Sequence, residues 1–476
     1  MKATWTIGLL LLLTGAGPAQ QAELRTERFD RDPGWDGRNN RSATPEARPI
    51  RQDFGYSPAA RAVGGHVSPA AEPAYYAKTL PAATLDDPLS ASGTLTVGPD
   101  DRPDGNTLVG FFNAGTVNEW RTPSTIAFRV NGRGDGFHLH LEYATARWRA
   151  GGDFFAATDA KSGKRTARLI PGGKVLHAWS LKYDPKGNGG AGTITAALDG
   201  ETLVLDLDPG HKADGATFNR FGLLNAVKSA DSGGSLWLDD VTINGATDRF
   251  DDDPGWEGRQ NRRTAVSDNV RPRFNFGFSP TRHAGGAAAG EMGGLVFRGD
   301  ERYPDRMAYY GDRLETLTLE KPLKASGKVS LRRGVTDSTV LLGFFHSTES
   351  MRISKTQVSG IPENFLGIAV EGPSRDGFLF YPIYGTDREG DGGNAVGARP
   401  PPILPDGKSH EWTLDYSPAG GGKITVTLDG KPVSLELSAA HRALGARFDR
   451  FGLVTTHIDG NGQEVWFDDL SYTWKR

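Results

Sequence analysis

The chain has 476 residues, and its 55 Lys and Arg side chains nearly balance 58 Asp and Glu side chains, so the formal net charge is −3. The charges of both signs are interspersed, which argues against a binder of duplex nucleic acid, because such domains carry a basic stripe. The absence of cysteine excludes disulfides and thiol catalysis.

The N-terminus has the pattern of a secretory signal. Lys2 precedes an apolar run from Ile7 to Leu13, and small residues follow up to Ala19. The run is too short to span a bilayer, and the sequence shows no second apolar segment of that length. We therefore expect removal of residues 1–19 and a mature protein that is secreted or periplasmic, without a transmembrane segment.

The rest of the chain is a tandem duplication. Residues 28–41, RFDRDPGWDGRNNR, return as residues 249–262, RFDDDPGWEGRQNR. Later landmarks return in the same order: GFF at residues 110 and 343, FNRFGL at 218 as FDRFGL at 448, and WLDD at 237 as WFDD at 466. This period is too long for a solenoid unit, so each copy should be a complete domain. The predicted domains are residues 20–247 and 248–476.

The first copy predicts a succession of strands and no amphipathic helix. Residues 29–35 are expected to form a short strand that runs into a turn at Pro33-Gly34, and a long loop is expected from Arg38 to about Pro73. Strands bounded by turn residues then follow at 94–97, 108–112, 126–130, 137–143, 179–183, 192–198, 201–205, 218–224 and 236–243. Asp199-Gly200 is a strong hairpin signal between two of them.

The strand at residues 137–143 alternates with period two. His138, His140 and Glu142 therefore share one face, and the apolar residues between them share the other. The pattern predicts one polar face and one core face.

HAW at residues 177–179 returns as HEW at 410–412, ITAALDG at 194–200 returns as ITVTLDG at 424–430, and WLDD returns as the closing WFDD. In these stretches the last third of each copy resembles the concanavalin A-like lectin/glucanase superfamily, in particular its laminin-G-like members. The resemblance implies an all-β fold of two tandem jelly-roll β-sandwich domains. It identifies activity less well, because such folds include lectins, glycosidases, polysaccharide lyases and adhesion modules.

Differences between the copies supply the candidate site residues, since both copies must fold but need not both work. Glu291 and Arg298 stand opposite Ala62 and Pro69, and His346 opposite Asn113. A surface ion pair is the alternative for Glu291 and Arg298. The predicted catalytic residues all lie in the second copy: Glu291, Arg298, His346, Asp376 and Tyr381.

Aromatic and polar residues near the end of a second-copy strand suggest a sugar-stacking groove, with core packing as the alternative for each aromatic residue. Tyr384 and Arg388, with Asp391 nearby, are its candidate substrate-binding residues. Trp256 and Asn261 of the repeated motif are further candidates, with loop ordering as the alternative.

Three chemistries remain open for these residues. Glycoside hydrolysis needs two carboxylates, but the acid-x-acid-x-x-acid run that the resemblance to glucanases implies is missing here. A polysaccharide lyase could use Arg298, His346, Tyr381 and Tyr384. Metal-assisted chemistry could use Glu291, His346 and Asp376.

Acidic residues near both ends of the second copy suggest a structural calcium site. Asp251 and Asp253 would approach Asp468 and Asp469 if the first and last strands were neighbours, and Ca²⁺ prefers oxygen ligands. The first copy repeats the set as Asp30, Asp32, Asp239 and Asp240. Capping of turns is the alternative. No organic cofactor is expected.

The sequence thus predicts a secreted protein that binds, and in one version cleaves, an extracellular polysaccharide or oligosaccharide through its second domain. A non-catalytic carbohydrate-binding module or a cell-surface adhesion module is the alternative. Hydrolase and lyase are not distinguished.

Overall fold

The computed structural model describes residues 23–41, 47–98, 106–117, 122–352, 360–387, 392–395 and 400–475. Within them the secondary structure is almost entirely β, so the all-β prediction is confirmed. The two α-helices are short, α1 (His211–Asp214) and α2 (Ala439–Leu444). Single 3-10 turns lie at Asn188–Gly190, Pro304–Arg306, Glu349–Met351 and Ala419–Gly421.

The strands of the first half are β1 (Glu23–Glu27), β2 (Asp36–Arg38), β3 (Arg48–Ser57), β4 (Ala62–Val67), β5 (Tyr75–Thr84), β6 (Leu89–Val97), β7 (Asn106–Phe112), β8 (Thr125–Arg133), β9 (Gly136–Ala144), β10 (Ala150–Phe154), β11 (Ala156–Thr158), β12 (Arg165–Ala167), β13 (Ile170–Pro171), β14 (His177–Asp184), β15 (Thr193–Leu198), β16 (Glu201–Asp206), β17 (Thr217–Asn225), β18 (Gly234–Ile243) and β19 (Ala246–Asp248). Those of the second half are β20 (Glu257–Arg259), β21 (Arg262–Ser267), β22 (Phe274–Ser279), β23 (Glu291–Phe297), β24 (Tyr309–Thr318), β25 (Leu323–Arg333), β26 (Ser338–Phe345), β27 (Phe365–Ser374), β28 (Gly377–Gly385), β29 (Gly392–Asn394), β30 (Ser409–Ser417), β31 (Lys423–Leu428), β32 (Lys431–Glu436), β33 (Arg447–Val454) and β34 (Gly462–Lys475).

Two antiparallel sheets form the first sandwich. Sheet I has the order β16-β15-β14-β6-β18-β4-β3-β21, with β19 beside β18. Sheet II has the order β10-β9-β8-β7-β17-β5-β20, with β13 beside β9. Aromatic rings fill the space between the two sheets. Phe221 and Phe111 of sheet II lie 4.9 Å apart, and Phe221 lies 6.1 Å from Trp179 of sheet I.

The second sandwich repeats this plan. Sheet III has the order β22-β23-β34-β25-β30-β31-β32, with β1 beside β34, and sheet IV has the order β2-β24-β33-β26-β27-β28-β29. Phe451 of sheet IV stacks on Tyr472 of sheet III at 4.3 Å. Two antiparallel sheets packed face to face in each half are the layout of the concanavalin A-like jelly roll, which confirms the resemblance at the level of fold.

The sandwiches do not begin and end where the sequence repeat does. β1 and β2, which precede the first sandwich in the chain, pair with β34 and β24 of the second. β19, β20 and β21, around the second motif, pair with β18, β5 and β3 of the first. The first sandwich is therefore built from residues 47–267, and the second from residues 268–475 with residues 23–41. This division differs from the expected boundary at residue 247.

A tight hairpin explains where the second motif goes. β18 and β19 are joined by Asn244 and Gly245, with φ of 46° and 86°. Two consecutive residues with positive φ match the turn that follows the twist of a hairpin. The turn folds the chain back on β18, so the motif that follows packs on the sandwich before it. The Asp199-Gly200 hairpin is confirmed in the same way, with φ of 50° and 86°.

Two smaller predictions were wrong. The stretch expected to be a long loop over residues 38–73 contains β3 and β4, which pair with each other. The short strand expected after Arg28 is absent, and residues 28–35 connect β1 to β2 without a ladder. The positive φ of 50° at Phe29 interrupts an extended backbone, whereas the φ of 68° at Gly34 agrees with the turn expected at Pro33-Gly34.

Candidate functional site: a polar row and cavity on the first sandwich

The polar face predicted for residues 137–143 is present on the outer surface of sheet II. Along β9, buried residues alternate with partly exposed ones. Phe137, Leu139 and Leu141 are fully buried in the core, while the two histidines and Glu142 between them are partly exposed. The period-two prediction for this strand is confirmed.

The neighbouring strands β7 and β8 add three polar side chains to this face. Arg129 stands opposite His140, and Asn131 opposite His138, in the β8–β9 ladder. The Arg129 side chain donates to Glu142 Oε1 at 2.7 Å and to Asn106 Oδ1 at 3.1 Å. Asn131 Nδ2 donates to the same Asn106 oxygen at 2.7 Å. We call this connected set the polar row: Asn106, Arg129, Asn131, His138, His140 and Glu142.

Both histidines of the polar row are neutral at pH 7. Burial, helped by Arg129, lowers the pKa of His140 to about 4. Burial, followed by the charge of Arg133, also lowers the pKa of His138. A neutral imidazole offers one N–H donor and one acceptor nitrogen. The row therefore presents hydrogen-bonding groups around a single ion pair, between Arg129 and Glu142.

One buried atom of the polar row has unused hydrogen-bonding capacity. Asn131 is 6% exposed, and its Oδ1 has no hydrogen-bond partner among the described residues. A buried polar atom without a partner is costly and needs an explanation. Because this oxygen has almost no surface open to solvent, it belongs to the packing under the row and is not itself a ligand contact.

An aromatic ring lies at one edge of the polar row. Phe154 of β10 stands opposite His140 in the ladder, with the two rings 5.9 Å apart. The ring is partly exposed, and the Arg165 guanidinium lies 4.7 Å from its centre. The apolar face of a sugar ring packs on such a surface.

A cavity of about 320 Å³ lies where the polar row meets the second sandwich. This volume is at the lower end of the range of small-molecule sites, which is about 300–1,000 Å³. The residues of sheet II that line it are Asn106, Leu108, Thr125, Ala127, Arg129, Glu142, Tyr143 and Ala144. Residues 226–228 of the first sandwich, and residues 335–337 with Asn461 of the second, complete the lining.

Asn461 ties the two sandwiches together beside this cavity. Its side chain accepts from Ser229 Oγ of the first sandwich at 3.2 Å and donates to the Thr336 carbonyl at 2.8 Å. Its backbone N–H donates to the Asp337 carbonyl at 2.7 Å. The wall that the second sandwich contributes is therefore held in place by hydrogen bonds on both sides.

Two carboxyl groups in different environments line the cavity. Glu142 belongs to sheet II and accepts from Arg129. Asp337 belongs to the second sandwich, is exposed at its surface and pairs with Arg298.

The second sandwich keeps only part of the polar row. The positions of His138, His140 and Glu142 are taken there by Leu379, Tyr381 and Ile383, and that of Arg129 by Ala369. Thr339 and Glu371 stand at the positions of Asn106 and Asn131. Among the described residues, the row with two histidines is therefore found on the first sandwich.

Arg298 and Tyr381 are brought together around Glu371, in a cluster in which Tyr381 is buried and Arg298 and Glu371 are partly exposed. Arg298 Nη2 donates to Glu371 Oε1 at 2.9 Å, and the Tyr381 hydroxyl donates to the other oxygen of the same carboxylate. Tyr381 is 2% exposed, and burial, followed by Glu371, raises its pKa. The phenol therefore keeps its proton and orders Glu371. Arg298 also pairs with Asp337, which lines the cavity.

Glu291 lies on the other sheet of the second sandwich and is fully buried. Its carboxylate accepts from Thr281 Oγ1 at 2.5 Å and from the backbone N–H groups of His283 and Ala284 at 2.7 Å each. These bonds hold the loop before β23. Neither the expected surface ion pair nor a catalytic partner is found for Glu291 among the described residues.

His346 and Asp376 lie apart from the other candidates. His346 follows β26, and its Nδ1 accepts from the N–H groups of Thr348 and Glu349 at 3.3 and 3.2 Å. Asp376 lies in the turn between β27 and β28, and its charge adds to the larger effect of the Asp214 hydrogen bond in raising the pKa of Arg149 of the first sandwich. The five predicted catalytic residues do not share one pocket.

The predicted substrate-binding residues have structural contacts where they are described. The Tyr384 hydroxyl meets His441 Nδ1 at 2.7 Å, and the residue is 3% exposed. Trp256 packs on Tyr76 at 5.9 Å, and Asn261 Nδ2 donates to the Phe54 carbonyl at 2.6 Å. Loop ordering is therefore the better interpretation of Trp256 and Asn261. Arg388 and its neighbour Asp391 lie outside the described residues.

The four aspartates of the expected calcium site are divided between the two sandwiches. Asp251 and Asp253 belong to the segment on the first sandwich, where Asp251 pairs with Arg61 and Asp253 accepts from Gly255 N at 2.9 Å. Asp468 and Asp469 lie in β34 of the second, and burial raises the pKa of Asp468 to about 7. No group of three or more metal-ligating side chains occurs within the described ranges. The proposed set therefore cannot bind one ion together, and calcium binding stays a prediction.

Sequence reasoning missed Arg129, Asn131, Asn106 and Phe154 as site residues. The alternation in β9 is visible in the sequence, but the predicted catalytic residues were polar residues of the second copy. The signal for the row was the replacement of His138, His140 and Glu142 by Leu379, Tyr381 and Ile383 in the second copy.

No family model matches the chain, and no curated protein matches it. Among solved structures, it is similar to the mouse laminin α1 chain, domains LG4-5, at 13% identity and a TM-score of 0.25, over 89% of this chain and 91% of that one. It is also similar to the carbohydrate recognition domain of Emp47p at 9% identity and a TM-score of 0.27, over 42% and 89% of the two chains. The alginate lyase Aly36B, solved with an alginate trisaccharide, is similar at 14% identity and a TM-score of 0.27, over 42% and 88%. Similarities this low add nothing to the functional argument, which rests on the chain's own geometry.

Among the described residues, no helix has the length and the apolar character needed to cross a bilayer.

Proposed function

We propose that this protein binds an oligosaccharide or a polysaccharide along the polar row of sheet II, between Phe154 and the cavity beside Glu142. The observation that carries the proposal is the row itself. It sets neutral donors and acceptors, one guanidinium and one carboxylate beside a partly exposed aromatic ring. Sugar hydroxyls pair with such groups while the apolar sugar face packs on the ring.

The test measures binding by two variants that leave the ion pair of the row intact. A glycan panel first identifies a ligand, and calorimetry then gives its Kd. We expect His140→Ala and Phe154→Ala each to weaken binding about tenfold, which corresponds to about 1.4 kcal/mol. Lys182→Ala is the matched control, because Lys182 is exposed on β14 of sheet I and should leave Kd unchanged.

Two results would contradict the proposal. One is that no glycan of a broad panel binds the folded protein. The other is that a ligand binds with the same Kd to His140→Ala, Phe154→Ala and the parent protein, since that ligand would then occupy another surface.

Hydrolysis of the bound glycan is the second candidate function, and the two carboxyl groups of the cavity favour it. In this hypothesis Asp337, which lines the cavity, donates a proton to the glycosidic oxygen. Glu142 takes the proton of the attacking water or attacks the anomeric carbon directly. Glu142→Gln and Asp337→Asn should then abolish release of new reducing ends while glycan binding persists. An unsaturated product would instead indicate a lyase, and no product at all would leave a binding module.

Secretion is part of the same proposal. It rests on the leader pattern of residues 1–19, which lie outside the described residues. Expression with the native leader in a bacterium, followed by fractionation and N-terminal sequencing, tests it. A mature N-terminus near residue 20 in the periplasm or medium is expected, and an intact chain retained in the cytoplasm would contradict it.

A further inference from the structure

The first copy of the repeated motif is anchored in the second sandwich by side chains of several kinds. Trp35 lies 5.3 Å from Phe29, 5.7 Å from Tyr310 and 6.1 Å from Tyr472. Asp36 pairs with Arg450 at 2.8 Å. We call residues 23–41 the first closing segment.

Its last two residues complete the anchorage. Asn40 Nδ2 donates to the Phe276 carbonyl at 2.7 Å. Arg41 donates to Asn275 Oδ1 and to the Phe278 carbonyl, at 2.6 Å each. The socket for this segment is the surface formed by Phe276, Phe278, Tyr310, Arg450 and Tyr472.

The second copy of the motif uses equivalent contacts in the first sandwich. Trp256 lies 5.4 Å from Phe250 and 5.9 Å from Tyr76. Glu257 pairs with Arg220 at 2.5 Å, and Asn261 Nδ2 donates to the Phe54 carbonyl at 2.6 Å. We call residues 246–262 the second closing segment.

The contacts of the last arginine and the backbone conformation are also the same in the two segments. Arg262 donates to Asp53 Oδ1 at 2.8 Å and to the Tyr56 carbonyl at 2.9 Å, as Arg41 does to Asn275 and Phe278. Phe29 and Phe250 have φ of 50° and 56°, and Gly34 and Gly255 have φ of 68° and 65°. The two closing segments therefore present the same groups, in the same backbone shape, to two equivalent sockets.

The two segments differ in how the chain holds them. The second follows its own sandwich through the Asn244-Gly245 turn. The first comes from the opposite end of the chain, where Glu23 pairs with Lys475 in the β1–β34 ladder and by an ion pair at 3.1 Å. The second sandwich is thus closed by a segment that is covalently joined to the first sandwich through residues 42–46.

We propose that the socket of the second sandwich is an exchangeable site for this peptide motif, and that a second copy of the chain can fill it. The contacts would be the same whether the segment came from its own chain or from another, which makes such an exchange between protomers a low-cost route to a dimer. A dimer formed in this way would display two polar rows. The proposal does not depend on the proposed function.

The first experiment opens the socket without unfolding the chain. A specific protease site is placed between Arg41 and Ala47, the folded protein is cut, and a fluorescent peptide of residues 23–41 is added. We expect the peptide to replace the severed segment, as shown by fluorescence anisotropy. An unlabelled peptide of residues 246–262 should compete, and a 23–41 peptide with Trp35→Ala should bind at least about tenfold more weakly.

Each outcome decides one part of the proposal. Failure of the 23–41 peptide to enter the cut protein, while that protein keeps its thermal transition, would overturn exchange. Entry of that peptide without competition by residues 246–262 would overturn the equivalence of the segments.

The second experiment tests whether a second molecule of the chain can fill the socket. Full-length chain is refolded at increasing concentration and analysed by light scattering. We expect a dimer fraction that rises with protein concentration. Cutting the linker between Arg41 and Ala47 after refolding, with excess 23–41 peptide added at the cutting step, should then remove the dimer. Monomer at every concentration would overturn filling by a second copy while leaving the peptide site to the first experiment.

Discussion

Replacing Trp35 by alanine tests whether the N-terminal motif stabilises the distant half of the chain. In the structure, the Trp35 ring contacts Phe29 of its own segment and Tyr310 and Tyr472 of the second sandwich. If the repeat boundary defined the folding units, the substitution would weaken the first sandwich. Strand pairing predicts that it weakens the second.

The magnitude follows from burial. Truncation of a buried Phe or Trp to alanine costs about 3–5 kcal/mol. Trp35 is partly exposed, so we expect a loss of about 2–3 kcal/mol in the unfolding free energy of the second sandwich. For domains of 150–250 residues, each kcal/mol lowers Tm by about 2–4 °C, so the fall should be roughly 4–12 °C.

The assay is hydrogen exchange followed by mass spectrometry, because it reports each sandwich separately. Trp35→Ala should speed exchange in β24 and β34, which pair with β2 and β1. Trp256→Ala is the matched variant. Trp256 is 7% exposed and donates from Nε1 to Asp248 at 3.1 Å, so it should speed exchange in β5 and β18, at a cost of about 3–5 kcal/mol. Faster exchange in β5 and β18 with Trp35→Ala would refute the reasoning.

A circular permutant that joins Lys475 to Glu23 and opens the chain between Arg41 and Ala47 should keep the parent melting profile, because both closing segments stay on their sandwiches. Loss of a transition in calorimetry would contradict this. Glu291→Ala should lower the unfolding free energy by about 3–5 kcal/mol, since three donors lose a buried acceptor; denaturant titration checks it, with exposed Glu320→Ala as a near-neutral control. Asp468→Asn should become progressively more stable than the parent as pH rises from about 4 to 7. Burial raises the pKa of Asp468 from 3.8 to about 7, so the folded parent holds a proton that the unfolded chain releases, and its stability falls across that window. A difference in unfolding free energy that did not change with pH would count against this prediction.

The fold could be predicted from the sequence because the patterns that indicate strands and turns are local. Alternation in β9 is set by which side chains must enter the core, and the Asp199-Gly200 turn is set by the φ values that hairpins need. The candidate site could be predicted only in part. His138, His140 and Glu142 were assigned to a polar face, but Arg129 and Asn106 join them across a ladder whose register no single strand reveals.

Some polar residues that only the second copy has are buried and make structural contacts. Glu291 accepts hydrogen bonds from its loop, and Tyr381 donates to Glu371. Burying a polar group requires a partner, so a charged residue unique to one copy can serve packing as readily as chemistry.

By itself, the sequence determined that this is a duplicated all-β protein, since period-two patterning, turn residues and the repeated motif are properties of short stretches. The tertiary structure alone decided which sandwich each motif closes, which sheet faces form the cavity, and which charged residues meet. The physical reason is that antiparallel strands separated by hundreds of residues pair through backbone groups, which are the same in every residue. The sequence therefore marks where strands are, while the partner of each strand is chosen by how the whole chain packs.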